Sequence, residues 1–415
     1  MAHERFDDVS LTDPAVYDDP WSFYAWLRDE HAVWFDASSG LYAISRHADV
    51  VEVSRDATRF SSAQGVRPVN AVPLSIVSMD DPEHARQRRL LSKGFTPRQV
   101  RTMTEHVREL TNSVIDEVES TGRIDFVSDL AMHVPLMVIS ELLGIDPSLR
   151  LSLYQWSEAM IAGEGAVAQG GERVEEAALA FAQYTDLVQG LIEERRSQPR
   201  EDLLSILTAA YDAGELAYDE QSLAAYDLNE AAELTNDELL MFAVLLMVAG
   251  NETTRNAIAG GLLAFSRFPE QRALLASDPT LIDGAVEEIL RYTSPVLNFT
   301  RAVTGTVQIA GTTLHEGDRV MLLYQSANRD DRVFEDPERF RIDRNPNPHV
   351  AFGFGPHFCM GANLARMEIK VVFEELFRRL PDIAVDAPEQ IPERAPSAFV
   401  AGLTRMPASF TPSPG

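Results

Sequence analysis

The chain has 415 residues and a formal net charge of −28, with 45% hydrophobic and 24% charged residues. This composition predicts a globular protein with an ample core, and the negative charge argues against nonspecific binding to nucleic acid. The single cysteine, Cys359, excludes a disulfide framework and any zinc or iron–sulfur centre built from several cysteines.

The N-terminal part begins without the basic and apolar regions of a signal peptide. The longest apolar run, near residues 239–250, is too short to span a bilayer, so we expect a cytoplasmic protein with no membrane anchor. The first predicted element is a β-hairpin at residues 32–45, where two strand-like stretches flank a Ser-Ser-Gly turn. A polar, proline-containing loop follows at residues 61–78.

Most of residues 80–295 have helical periodicity. The first of these helices is expected to have Asp81 as its N-cap, Pro82 in its first turn and Gly94 just past its end. His84 and Arg88 lie four residues apart and share one face of this helix. They either belong to a solvated basic face or form a pair of hydrogen-bond donors for an anionic group.

A long helix is predicted to begin at the capping box formed by residues 235–238 and to end at Pro269. At the helical rise per residue it is roughly 48 Å long, enough to cross a whole domain. The acidic stretch at residues 210–235, which precedes this helix, has no predicted role.

Glu252 and Thr253 interrupt the apolar middle of the long helix. In one interpretation Glu252 faces solvent and Thr253 only donates to the carbonyl oxygen of Ala249. In the other, the small Ala249–Gly250 pair leaves room for a small ligand beside the helix. The Thr253 hydroxyl then donates to that ligand while Glu252 relays protons.

The C-terminal third begins with Glu288 and Arg291, an E-x-x-R pair on one helix face; most such pairs are weak surface contacts. Residues 300–326 return to a β pattern, and a proline-rich loop follows at residues 336–349. Residues 352–361, which contain Cys359, form the next loop and are called the cysteine loop below. Beyond it a helix is predicted over residues 362–380, and the tail contains short strand-like pieces.

Cys359 lies in the stretch FGFGPHFCMG, among Gly353, Gly355 and Gly361. A lone cysteine is usually a small, inert core residue, but a core position needs no such run of glycines. The helix that begins near Ala362 directs its N-terminal N–H groups toward the sulfur, which favours a thiolate. Such a thiolate is a nucleophile, a metal ligand, or the single axial ligand of a haem iron.

In their order and spacing these features resemble the bacterial cytochromes P450, and in particular actinobacterial members. The most specific motif is F-x-x-G-x-H-x-C-x-G, which Phe352, Gly355, His357, Cys359 and Gly361 satisfy. The resemblance covers residues 80–370. It implies a mainly α fold with small β-sheets, a long central helix over the haem, and a single domain over residues 1–415.

The resemblance also implies a role for each motif. Cys359 becomes the proximal ligand of haem b, and Thr253 and Glu252 form the oxygen-protonation pair. The remaining haem-binding positions are His84, Arg88, Arg301, His357, Ala249, Gly250, Phe352 and Gly361. Glu288 and Arg291 form a buried structural pair completed by an arginine of the proline-rich loop. We expect Arg339, with Arg341 and Arg344 close by as alternatives. The expected substrate-pocket residues are Leu245, Leu246, Val296, Leu297, Phe299 and Val400.

The expected reaction is monooxygenation of a hydrophobic small molecule by O2, with electrons from a ferredoxin and an NAD(P)H-dependent ferredoxin reductase. Arg86, Arg88, Arg89, Lys93, Arg98 and Arg101, with Arg366 and Lys370, predict a basic docking patch for an acidic ferredoxin. The actinobacterial resemblance favours a lipid, sterol or terpenoid substrate, and natural-product tailoring, by hydroxylation or epoxidation, is the close alternative. A peroxide-driven peroxygenase, a haem-based sensor and a haem-free cysteine hydrolase are the rival classes.

Overall fold

A computed structural model describes residue 6 and residues 8–69, 75–166, 172–213 and 236–412. The chain is mainly helical, as predicted. The α-helices in the described ranges are α1 (Trp21–Glu30), α2 (His47–Arg55), α3 (Glu83–Leu91), α4 (Pro97–Val118), α5 (His133–Leu142), α6 (Arg150–Ala166), α7 (Glu172–Ser197), α8 (Leu203–Asp212), α9 (Asn236–Arg267), α10 (Pro269–Ser277), α11 (Ile282–Thr293), α12 (Tyr324–Ala327) and α13 (Ala362–Arg379).

The strands are short and form small sheets. They are β1 (Val33–Asp36), β2 (Leu41–Ile44), β3 (Phe60–Ser61), β4 (Arg123–Asp125), β5 (Asn298–Val303), β6 (Val307–Ile309), β7 (Thr312–Leu314), β8 (Arg319–Leu323), β9 (Ala384–Val385), β10 (Glu393–Arg394), β11 (Leu403–Arg405) and β12 (Pro407–Ser409). The largest sheet has the order β1-β2-β8-β5-β3. The predicted hairpin is confirmed, because β1 and β2 pair antiparallel from Val33↔Ile44 to Asp36↔Leu41. Strand β2 then pairs parallel with β8, which joins the N-terminal hairpin to the β pattern predicted for residues 300–326.

The long helix α9 passes through the middle of the largest hydrophobic cluster, with Ala243, Ile258 and Leu262 fully buried. The neighbouring helix α13 packs closely against α9 at Gly261, which has no side chain. A Cβ atom on Gly261 would lie 2.7 Å from Cζ of Phe373 on α13, closer than non-bonded carbons come. The end of α9 is as predicted, because Pro269 starts the next helix and Arg267 is the last residue of α9.

Two predicted boundaries differ from the structure or lie outside it. Helix α3 begins at Glu83, one residue after the expected first position, Pro82. The Asp81 carboxylate still accepts from the N–H of Ala85 at 3.1 Å. The capping residue Thr235 and residues 214–235 of the acidic stretch lie outside the described residues. Among the helices that are described, none combines the length and the apolarity needed to cross a membrane.

Candidate active site

A large cavity lies between α9, α3, strand β5 and the cysteine loop. The empty space within it and its mouth is about 1410 Å³. Of the residues that the sequence singled out, it is lined by His84, Arg88, Leu245, Leu246, Ala249, Gly250, Thr253, Val296, Phe299, Arg301, Phe352, His357, Cys359 and Gly361.

The Cys359 thiol faces the interior of this cavity. The N–H of Cys359 donates to the carbonyl oxygen of Phe352 at 3.0 Å, which closes the loop. Cys359 is accessible from the cavity. Its enclosure by the surrounding protein raises the pKa of the thiol, while the N–H groups of Gly361 and Ala362 and the charges of nearby arginines act in the opposite direction. The helix N-terminus therefore directs hydrogen-bond donors at the sulfur, as the sequence predicted.

Gly355 shapes the loop for a reason that the sequence did not reveal. Its φ is +72°, and a Cβ atom there would lie 2.3 Å from the carbonyl oxygen of Ser54 in α2. No residue with a side chain fits such a contact. The glycine therefore lets the loop pack against the last turn of α2.

Four basic side chains gather at one end of the cavity. The His84 and His357 rings lie 4.1 Å apart between centroids, and Arg88 donates to the carbonyl oxygen of Phe358 at 2.6 Å. Arg301 is buried and donates to the carbonyl oxygen of Thr300 at 2.8 Å. Within the described part of the chain, neither arginine forms an ion pair with a carboxylate. This end of the cavity is therefore suited to an anionic group.

Thr253 and Glu252 leave α9 in different directions. The Thr253 hydroxyl faces the cavity and also donates to the carbonyl oxygen of Ala249 at 2.8 Å. Glu252 does not face solvent, since it is only 2% exposed, and it is not among the residues lining the cavity. It accepts from Arg255 at 2.6 Å, and Arg255 also donates to Glu158 of α6 at 2.7 Å. Burial raises the pKa of Glu252 to about 8.

The E-x-x-R pair is fully buried, but Arg339 is not its third member. Glu288 accepts two bonds from Arg291 at 2.8 Å and a further bond from Nε of Arg344 at 3.2 Å. The Arg339 side chain points outward and lies 3.6 Å from Glu270, with 63% of it exposed. Only the carbonyl oxygen of Arg339 takes part, accepting from Arg291 at 3.0 Å. The prediction of Arg339 was wrong because the chain turns its side chain to the surface.

Two expected pocket residues do not line the cavity. Leu297 packs instead with Leu41, Met321 and Leu323 in a separate buried cluster. Val400 is buried and pairs with Val296 through an isolated bridge, with Val296 taking the cavity position. The prediction took every apolar residue of the segment, but Leu297 is used by the buried cluster that it forms with residues of β2 and β8.

The predicted docking patch is smaller than expected. Arg86 is buried, and Arg88 faces the cavity. Arg366 is bound by Glu287, and Lys370 lies 2.7 Å from Asp283. What remains exposed on α3 and the start of α4 is Arg89, Arg98 and Arg101; the Lys93 side chain lies outside the described residues.

Some cavity residues were missed in the sequence. Phe242 lines the cavity with Leu245, Leu246 and Ala249. These positions are three, four and seven apart on one helix, so the spacing alone could have identified Phe242. Glu368 also lines the cavity, and burial raises its pKa to about 8; no sequence pattern indicated this residue.

Comparison with known proteins decides the family. A family model described as Cytochrome P450 matches residues 275–401. The chain is 38% identical over 410 residues to the steroid C26-monooxygenase of Mycobacterium tuberculosis (strain ATCC 25618 / H37Rv), with 98% of each chain covered. The chain belongs to the cytochrome P450 family. This P450 is also 36% identical over 389 residues to the methyl-branched lipid omega-hydroxylase of the same strain, covering 91% of this chain and 86% of the relative.

Solved structures confirm the predicted fold. A cytochrome P450 of Mycobacterium marinum in complex with pseudoionone superposes with a TM-score of 0.85 at 32% identity, covering 99% of this chain and all 100% of that one. The protein is therefore a P450 monooxygenase whose cofactor is haem b. The cavity fits this group, because it is lined by a thiol and by two arginines that form no ion pair with a described carboxylate and would bind the carboxylates of haem.

Proposed function

We propose that this P450 hydroxylates a lipid-like small molecule of the steroid or methyl-branched lipid class. The observation that carries the proposal is the apolar part of the cavity lining, which includes Phe242, Leu245, Leu246, Val296 and Phe299. A lining of this kind binds through buried apolar area and offers few hydrogen bonds, which suits a long hydrocarbon skeleton. The names of the relatives above support the same class.

In this proposal Cys359 ligates the haem iron, and the basic side chains bind the haem carboxylates. Arg88 and Arg301 are the strongest candidates, since both face the cavity and neither is neutralised by a described carboxylate. His84 and His357, whose ring centroids lie 4.1 Å apart, would line this end, with Nδ1 of His84 bonded to the Asp81 carboxylate and Nε2 of His357 bonded to the Ser62 hydroxyl. Bound haem supplies the oxygen chemistry, in which two electrons and two protons are consumed as one oxygen atom enters a C–H bond and the other leaves as water.

Thr253 and Glu252 would deliver those protons. The Thr253 hydroxyl already donates to its own helix, so its lone pairs remain free to accept from a water or ligand in the cavity. Glu252, with a pKa raised to about 8, holds a proton near neutrality and can release it. Glu158 is 32% exposed and shares Arg255 with Glu252, so it provides a route from Glu252 toward solvent.

Electrons would come from a ferredoxin and an NAD(P)H-dependent reductase. Arg89, Arg98 and Arg101 form an exposed basic group on α3 and the start of α4. Arg88, which precedes Arg89 on α3, donates to the carbonyl oxygen of Phe358, next to the cysteine. The exposed basic group therefore lies on the thiolate side of the cavity. In a chain of net charge −28, such a group would be the preferred contact for an acidic partner.

The substrate class is tested by a spectral screen of the purified holoenzyme. Steroids, methyl-branched fatty acids and terpenoids are titrated separately, and the low-to-high-spin shift of the haem is recorded for each. Saturable shifts with steroids or branched lipids, followed by hydroxylated products in the reconstituted system, are expected. Shifts confined to terpenoids would contradict the lipid assignment and favour natural-product tailoring.

A further inference from the structure

The carboxylate of Glu287 on α11 accepts hydrogen bonds from residues on both sides of the cysteine loop, His349 before it and Arg366 after it. One carboxylate oxygen accepts from Nε of Arg366 at 2.6 Å, and the other accepts from Nη2 of Arg366 at 2.9 Å. The second oxygen also accepts from Nε2 of His349 at 3.0 Å. His349 lies ten residues before Cys359 in the chain and Arg366 lies seven after it. One side chain therefore fixes the segments that enter and leave the loop.

His349 is held in a defined orientation by this contact. Its Nδ1 accepts from the N–H of Ala351 at 3.2 Å, so in the neutral ring the proton lies on Nε2 and is donated to Glu287. The His349 side chain is 3% exposed. A buried ring with both nitrogens bonded fixes the backbone just before Phe352.

Arg366 connects the same carboxylate to the cysteine itself. Its guanidinium lies 4.6 Å from the centre of the Phe352 ring, and the carbonyl oxygen of Phe352 accepts from the N–H of Cys359. Glu287 neutralises the charge of Arg366 while it holds the side chain in place.

A second ion pair one turn away provides an internal comparison. Asp283 precedes Glu287 by four residues on α11, and Lys370 follows Arg366 by four residues on α13. Lys370 donates to Asp283 at 2.7 Å. The two pairs therefore bridge the same helices, but only the Glu287 pair also contacts the cysteine loop through His349 and Phe352.

We propose that Glu287 is a positioning residue for the Cys359 ligand, which it serves by clamping His349 and Arg366 and by neutralising Arg366 beside the loop. The proposal rests on Cys359 binding haem, as the proposed function holds. It extends that function to a carboxylate outside the cavity and outside the E-x-x-R motif. A purely structural bridge between α11 and α13 would make no difference to the properties of the iron.

The two roles of Glu287 predict opposite electrostatic changes in two variants. In Glu287→Gln the charge of Arg366 is no longer balanced, and a positive charge near the haem favours the reduced iron. The Fe(III)/Fe(II) midpoint potential should therefore rise. In Arg366→Gln the carboxylate remains without its cation, so the potential should fall. The double variant restores the local charge balance and should lie between the two.

The experiment measures the midpoint potential and the rate of haem loss in holoenzymes of the wild type and these variants. The controls are Asp283→Asn and Lys370→Gln, which make the same charge changes one turn away. We expect opposite shifts for the first two variants and smaller shifts for both controls. Loss of an outer partner commonly weakens metal binding roughly 10-fold or more, and Glu287→Gln should lose haem faster by a similar factor.

Shifts of equal size in Glu287→Gln and Asp283→Asn, or shifts of the same sign in Glu287→Gln and Arg366→Gln, would overturn the proposal. If Glu287→Gln does not fold, the midpoint potentials of Arg366→Gln and Lys370→Gln are compared instead. Equal potentials in these two variants would contradict the proposal. The wild-type spectrum separates this inference from the function it rests on. A wild type without the reduced carbon monoxide band of thiolate ligation would refute the function, whereas a normal wild type with unshifted variants refutes only the inference.

Discussion

At the scale of single residues, the two interpretations that the sequence left open prove compatible for Thr253 but not for Glu252. Thr253 makes the local hydrogen bond to Ala249 and still presents its hydroxyl to the cavity. Glu252 is neither solvent-facing nor in the cavity, but is buried with Arg255. A buried carboxyl beside a single arginine retains an oxygen without a described partner, so it is poised to exchange a proton with water.

The raised pKa of Glu252 predicts a pH dependence with a definite sign. Below about pH 8 the carboxyl holds a proton that it can give, and above it the carboxylate has none. Product formed per electron pair should therefore fall as the pH rises through about 8, measured with a substrate identified by the spectral screen.

The neutral variant Glu252→Gln provides the comparison for this pH dependence. A positioned general acid contributes typically 10²–10⁴-fold, so the variant should lose about 10²-fold or more in rate. Its residual rate should show no decline near pH 8. A decline at the same pH in Glu252→Gln would assign the titration to another group.

At the scale of elements, helix α11 organises the cysteine side of the molecule. Glu288 accepts from Arg291 within α11, from the side chains of Arg344 and Asn347, and from the N–H of Arg341. Successive residues of this helix thus hold the proline-rich loop through Glu288 and the cysteine loop through Glu287. The segments on both sides of Cys359 are therefore tied to this helix.

The corrected third arginine can be tested by stability. Glu288 keeps its partner Arg291 in Arg344→Ala but loses the N–H that Arg344 donates to its buried carboxylate, and a hydrogen bond to a charged group is worth about 1.5–3 kcal/mol. Arg339→Ala removes an exposed side chain and should stay within about 0.5 kcal/mol of the wild type. Chemical denaturation of the two variants measures both values. Equal losses, or a larger loss in Arg339→Ala, would restore the original assignment.

Elements were predictable where local pattern decides them, and contacts were not. The alternation around the Ser-Ser-Gly turn identified β1 and β2, and the N-terminal N–H groups of α13 followed from the position of Ala362. The choice of Arg344 over Arg339 depends on how the loop folds back onto α11. The same holds for Leu297, whose partners come from β2 and β8. Such contacts join distant parts of the chain, so no local spacing specifies them.

At the scale of the whole molecule, the five-stranded sheet contains the N-terminal strands β1, β2 and β3 together with β5 and β8, which lie more than 200 residues later in the chain. We propose on this ground that the chain forms one catalytic domain. Its charge is uneven, because a net charge of −28 surrounds the exposed arginines of α3 and α4. An acidic electron donor would be repelled by most of the surface and attracted there.

The docking proposal predicts that Arg98→Glu slows association with an acidic ferredoxin by up to about tenfold and weakens its salt dependence. Arg123→Glu makes the same charge change at an exposed arginine beyond the far end of α4, where Arg123 pairs with Asp386 at 2.8 Å, and serves as the control. The helix between them has 22 residues, or roughly 33 Å, well beyond the Debye length of about 8 Å in physiological salt. Stopped-flow reduction over a range of salt measures both rates. Equal effects of the two variants would contradict this docking site.

The central claim, that Cys359 is the thiolate ligand of the haem, is tested most directly by the absorption spectrum of the reduced holoenzyme under carbon monoxide. We predict the strongly red-shifted Soret band of thiolate ligation in the wild type and its loss in Cys359→Ser. A folded wild-type protein that lacks the pigment or this band, or a Cys359→Ser variant that retains it, would contradict the account.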